Sequence, residues 1–138
     1  MQDKFKVSVV VAIFARTKND TGLPDKCAFY DKDGKVYLPN APLTANKHAN
    51  EVALDLIKQL VPVDLRLLSI TPIGFFDPIT EDVAKRADRE VILGYRVIVS
   101  PGMPVHNELE FKDHEELRIS LERVSENHFR VFRLGLCF

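Results

Sequence analysis

Three polar side chains, Glu51, Asp55 and Gln59, recur every fourth residue within a stretch whose apolar residues recur at intervals of three and four. At about 100° per residue this spacing sets all three on one face of a helix, beside Lys58. Oxygens one turn apart are the raw material of a site for a hard cation such as Mg2+ or Mn2+. Such an ion usually wants several converging oxygens, its own waters and a substrate phosphate. The plainer reading is a solvated outer face, with i,i+4 contacts worth about 0.2–0.5 kcal/mol. The spacing alone assigns no metal ligand.

A second group is Asp113-His114-Glu115-Glu116. Carboxylates facing His114 would raise its pKa towards neutrality, so Asp113, His114, Glu115 and Glu116 form the second candidate site. The competing reading is an exposed acidic turn before a strand. A third group follows Gly74-Phe75-Phe76-Asp77-Pro78, where the charged stretch Glu81 to Arg89 begins. Phe76, if exposed, could stack on a nucleobase, with Arg86 or Arg89 bidentate on a phosphate or carboxylate. Strand alternation requires one of Phe75 and Phe76 to lie in the core. His48, His106, His114 and His128 lack metal-ligand spacing, and Cys27 and Cys137 form no C-x-x-C, so reduced thiols are expected and no zinc site. The chain has no G-x-S-x-G, no P-loop and no G-x-G-x-x-G.

The elements that would carry these residues follow from periodicity. Val7 to Phe14 is a continuous β-branched run and reads as a strand buried on both faces. Arg16 to Asp25 reads as a loop. Cys27 to Tyr30 and Lys35 to Leu38 form a hairpin about the Asp33-Gly34 step, and Pro39 to Pro42 ends it. Ala49, Val52, Ala53, Leu56, Ile57 and Leu60 predict an amphipathic helix from about Asn46 to Val61, capped by Thr44 or Asn46 and stopped by Pro62. Leu65 to Phe76 and Val91 to Ser100 are strands flanking the charged stretch Thr80 to Glu90. A turn at Pro101 to Pro104, a strand from Glu116 to Leu121, and a helix from Leu121 to Phe132 with an extended or helical tail complete the chain. This order implies an α/β domain with a mixed sheet.

With 138 residues, 46% hydrophobic and 28% charged, residues 1–138 are expected to form a single domain. A net charge of −1 gives no global drive towards nucleic acid or an anionic membrane. The apolar stretch from Val7 to Ala15 is far short of the roughly 20 residues that span a bilayer, so a cytoplasmic location is expected.

The run Leu38-Pro39-Asn40-Ala41-Pro42-Leu43, followed by the helix around Glu51 to Pro62, resembles the Nudix box in layout, and the order of the other elements extends the resemblance over nearly the whole chain. In that family a strand ends in Leu-Pro-Gly-Gly, and a helix carries Arg-Glu-x-x-Glu-Glu-x-Gly. The box here is degenerate. The two glycines fall on Asn40 and Ala41, the loop glutamate on Lys47 and the helical arginine on Asp55. The first catalytic glutamate falls on Leu56, the paired glutamates on Gln59 and Leu60, and the closing glycine on Pro62. The resemblance implies a Nudix-like α/β/α sandwich around a mixed β-sheet.

Cleaving a phosphoanhydride requires positioned water, charge neutralisation at phosphate and a lowered water pKa, none of which leucine supplies. The resemblance therefore implies a domain that binds a nucleoside diphosphate derivative, or acts as a regulatory or assembly module, with metal-dependent hydrolysis impaired and no cofactor. The first alternative is a divergent active hydrolase of ADP-ribose or a GDP-sugar, in which Glu51, Asp55, Gln59, Asp113 and Glu116 would gather about Mg2+ or Mn2+. The second is a purely structural interaction protein. A nucleotide-type small molecule is the expected partner, and a homodimer is allowed.

Overall fold

The computed structural model describes residues 6–15, 26–32, 35–62, 64, 68–77, 90–99, 110–113 and 126–137. Among them, seven strands form one mixed sheet with a helix on each face. β1 (Lys6–Ala15) and β6 (Glu90–Val99) are its axis, paired in parallel along their whole length from Lys6↔Glu90 to Ala15↔Val99. β5 (Ile70–Phe76) pairs antiparallel with β6 and forms one edge of the path. On the other side β1 is shared: its early residues Ser8 to Val10 pair with β4 (Asn40–Pro42), and Phe14 and Ala15 pair with β2 (Lys26–Lys32). β2 also pairs with β3 (Lys35–Tyr37) and with β7 (Glu110–Asp113).

The continuous apolar run of β1 is explained by burial on both sides of the sheet. Val9, Val11 and Ile13 face one core together with Val52, Ala53, Ile57 and Leu60 of α1 (Ala49–Leu60). Val10, Ala12 and Phe14 face the other, with Val131 and Phe132 of α2 (Glu126–Cys137). This alternation makes the three layers of an α/β/α sandwich.

Several boundaries depart from the sequence reading. Pro39 to Pro42 does not simply end the hairpin, because Asn40 to Pro42 pairs with β1. Helix α1 starts at Ala49 and is capped at His48 rather than at Thr44 or Asn46. The residues before it form a turn closed by Lys47 N–H to the Thr44 carbonyl at 3.3 Å. β5 begins at Ile70, with Leu68 and Ser69 outside it. The last helix continues through Gly135 to Cys137, so the tail after Phe132, expected to be extended or helical, is helical. β7 was not anticipated at all. The expected loop 16–25, the charged stretch as far as residue 89, the turn at 101–104 and the strand at 116–121 lie outside the described residues.

Candidate functional site

The outer flank of α1 borders a cavity of about 400 Å³. Ala41 and Pro42 of β4 form one wall, the turn residues Thr44, Asn46 and Lys47 a second, and Val52, Asp55, Leu56 and Gln59 of α1 the third. The floor is fixed by backbone. Leu43 N–H donates to the Val7 carbonyl and Val11 N–H to the Pro39 carbonyl, both at 2.9 Å, which tie the approach to the turn onto β1. Val52 N–H donates to His48 at 3.1 Å and opens the helix.

The charged groups among its described lining residues are Lys47 and Asp55, and they meet: Lys47 Nζ lies 2.6 Å from Asp55 Oδ2. This hydrogen bond to Asp55, and then its charge, hold the Lys47 ammonium above its ordinary pKa of 10.5. Both side chains stay about half exposed, at 46% and 52%, so the pair sits at the mouth of the cavity and not in the core. By the sequence resemblance these two positions fall on the family's glutamate and arginine, which would make this pair the same contact with both signs exchanged.

The sequence-predicted site residues do not gather as one set. Glu51 is exposed, and its Oε1 accepts from His48 N–H at 3.4 Å, a weak reach back over the helix start that makes it a cap. Asp55 is engaged by Lys47. Gln59 does line the cavity. Asp113 ends β7 opposite Lys26, and Glu116, His114, Arg86 and Arg89 lie outside the described residues. Phe76 must be corrected: it is 7% exposed, packed in the core under α2, so it has no face free for a nucleobase. Its neighbour Phe75 is the exposed one, at 62%. Lys47 was the residue the sequence reading left without a role, and its sign reversal together with that of Asp55 was the available signal.

A magnesium ion does not fit the described cavity. Leu56 lines it without offering an oxygen, and Leu60, 4% exposed, lies in the core. Asp55 is already neutralised by an ammonium that would repel a dication. Among the described residues no group of three or more His, Cys, Asp or Glu side chains is arranged to hold a metal.

A second cavity, of about 230 Å³, lies on the other flank of α1, between Asn50, Ala53 and Leu54 of the helix and Ile70, Pro72 and Tyr95 of the sheet. Tyr95 donates its hydroxyl proton to Asn50 Oδ1 at 2.6 Å, and burial raises its pKa. On the opposite face of the sheet His128, 4% exposed, accepts the Leu38 N–H at Nδ1 over 3.1 Å, which fixes its proton on Nε2. Burial lowers its pKa, partly opposed by Glu90. The Cys27 thiol is buried and its pKa is raised by desolvation, so it is inert.

Solved structures share this arrangement. The Escherichia coli dihydroneopterin triphosphate pyrophosphohydrolase superposes with a TM-score of 0.67 at 12% identity, over 95% of this chain and 94% of its own. The Nudix domain of Shewanella oneidensis NrtR, solved with ADP ribose, gives 0.64 at 10% identity over 94% and 84%. The fold is the Nudix fold. The C-terminal domain of mouse MUTYH, solved in complex with human PCNA, is similar at a TM-score of 0.68 and 12% identity over 94% and 86%. No family model and no curated protein sequence matches the chain. Among the described residues of this Nudix fold, no helix is long and apolar enough to cross a membrane.

Proposed function

We propose that this chain is a Nudix-fold binding module, which takes a nucleoside diphosphate derivative in the cavity beside α1 without efficient metal-dependent hydrolysis. One observation carries the reading. On the helix face where the Nudix box holds its cation, Asp55 is bound to Lys47 while Leu56 and Leu60 contribute no oxygen. The structure solved with ADP ribose supports the choice of ligand class, because that fold shares this architecture.

A thermal-shift panel tests it. The chain is heated with ADP-ribose, GDP-sugars and nucleoside triphosphates, each with and without Mg2+ or Mn2+. A ligand at a hundredfold excess over its Kd stabilises by about 2.7 kcal/mol. That is a rise of roughly 10 °C for a domain of this size. The expected result is a shift with at least one nucleoside diphosphate derivative. A flat panel throughout would reject the binding role.

An assembly role is the second reading, favoured by Phe75, an aromatic side chain 62% exposed on the edge strand β5. Edge strands offer unpaired backbone to another chain, and the fold is seen with a protein partner in the MUTYH domain. A homodimer would be one form of such assembly, and its test is the mass of the chain in solution by light scattering.

A further inference from the structure

We propose that Lys47 does by itself the work that a divalent cation does in metal-holding relatives: its ammonium takes the anionic end of the ligand, and Asp55 competes with that ligand for it. The proposal rests on the reading that the cavity beside α1 binds a nucleoside diphosphate derivative. It adds which atom holds the phosphate, what must be displaced, and that no metal is involved.

The geometry points this way. Lys47 stands at the cavity mouth, 46% exposed, on a turn whose N–H is tied to Thr44, so its ammonium can swing while its backbone stays fixed. Thr44, Asn46 and Gln59 border the same space and offer neutral donors beside the charge. The ammonium is already committed to an oxyanion, the Asp55 carboxylate at 2.6 Å. A phosphate is a stronger partner than a carboxylate of single charge, since it offers more oxygens and more charge. Asp55, 52% exposed, turns back into water when released and loses little solvation. No bond is made or broken: one anion exchanges for another on the ammonium.

The sign of the Asp55 effect separates this arrangement from a metal site. Where a carboxylate holds a cation for phosphate, removing its charge weakens binding. Where it competes for an ammonium, removing its charge strengthens binding.

The experiment is calorimetric titration of the full chain with ADP-ribose and, separately, with inorganic pyrophosphate, in EDTA and again in excess Mg2+. The expected Kd for ADP-ribose is the same in both conditions within about twofold and weakens as salt is raised, while excess Mg2+, which itself chelates pyrophosphate, does not tighten pyrophosphate binding. Asp55→Asn is expected to tighten binding by up to about fivefold. Lys47→Gln is expected to weaken it at least about tenfold, and Lys47→Arg to retain it. Unchanged melting midpoints would show that these variants fold. Binding that requires Mg2+, a weaker Asp55→Asn variant, or an unaffected Lys47→Gln variant would overturn the proposal while leaving the binding function intact. If neither ligand binds the native chain or the Asp55→Asn variant, this inference fails, and the binding function fails with it where the thermal-shift panel is flat as well.

Discussion

The two helices meet the same sheet in different ways. Helix α2 lies hard against it. A Cβ added at Gly135 would stand 2.7 Å from Phe14 Cε2, and the Phe14 and Phe132 rings stack with centroids 6.1 Å apart. Gly94 of β6 leaves similar room, since a Cβ there would stand 3.0 Å from Phe76 and 3.2 Å from Val131. Helix α1 buries Val52, Ala53, Ile57 and Leu60, yet cavities of about 400 and 230 Å³ open on its two flanks. Close packing on one side supplies rigidity and stability, and openness on the other leaves room for a ligand. A Nudix-fold enzyme would fill the open side with hydrated carboxylates. This chain fills it with an ion pair and a leucine.

The comparison breaks if the α2 side is not the stabilising one. Phe14→Ala, at a fully buried position, should cost about 3–5 kcal/mol, whereas Leu56→Ala at the half-buried cavity wall should cost about 1 kcal/mol. Urea unfolding of the two variants reads the difference, and equal losses would contradict it. Next in size, Gly135→Val must push into Phe14 and should cost about 1–3 kcal/mol in the same assay.

His128→Leu comes after these. It orphans the buried Leu38 N–H, a cost of about 1–3 kcal/mol. Its pH dependence sharpens the point. Burial holds the folded-state pKa of His128 below its ordinary value of 6.5, so on acidification the unfolded chain takes up the proton first. Stability from this group is therefore full above pH 6.5 and declines as pH falls below it, towards the lower folded-state pKa. Unfolding midpoints between pH 8 and pH 5 should show this decline in the native chain and a weaker one in the variant; parallel profiles would remove His128 from the account. The smallest effect belongs to the open side. Lys47→Gln should leave the urea midpoint unchanged, because its ion pair is half exposed and screened.

Much of this was legible in the chain. β1, β6 and α1 announce themselves by long, regular apolar patterns, whereas the parallel pairing of β1 with β6 is set by long-range contacts that no local pattern encodes. β4 and β7 did not. Each spans too few residues for a period to emerge, and each exists through its partner: Asn40 to Pro42 through β1, Glu110 to Asp113 through β2. The tail after Phe132 was left open between extended and helical; it is helical, and its Gly135 comes close to Phe14. The wrong choice between Phe75 and Phe76 has a similar origin. Alternation alone says that one is buried without saying which, and the register irregularity of β5 between Pro72 and Gly74 sets the phase. At the site, the missing glutamates were visible in the sequence. The contact between Lys47 and Asp55 needed the turn that folds residues 44–47 over the helix start.

The most direct measurement is product analysis, by chromatography, of ADP-ribose and GDP-sugars incubated with the purified chain and Mg2+ or Mn2+. Because Asp55 is engaged by Lys47 and neither Leu56 nor Leu60 offers an oxygen, the proposed binding role predicts no product above the protein-free blank. Product that appears only with the metal and disappears in Asp55→Ala would contradict it.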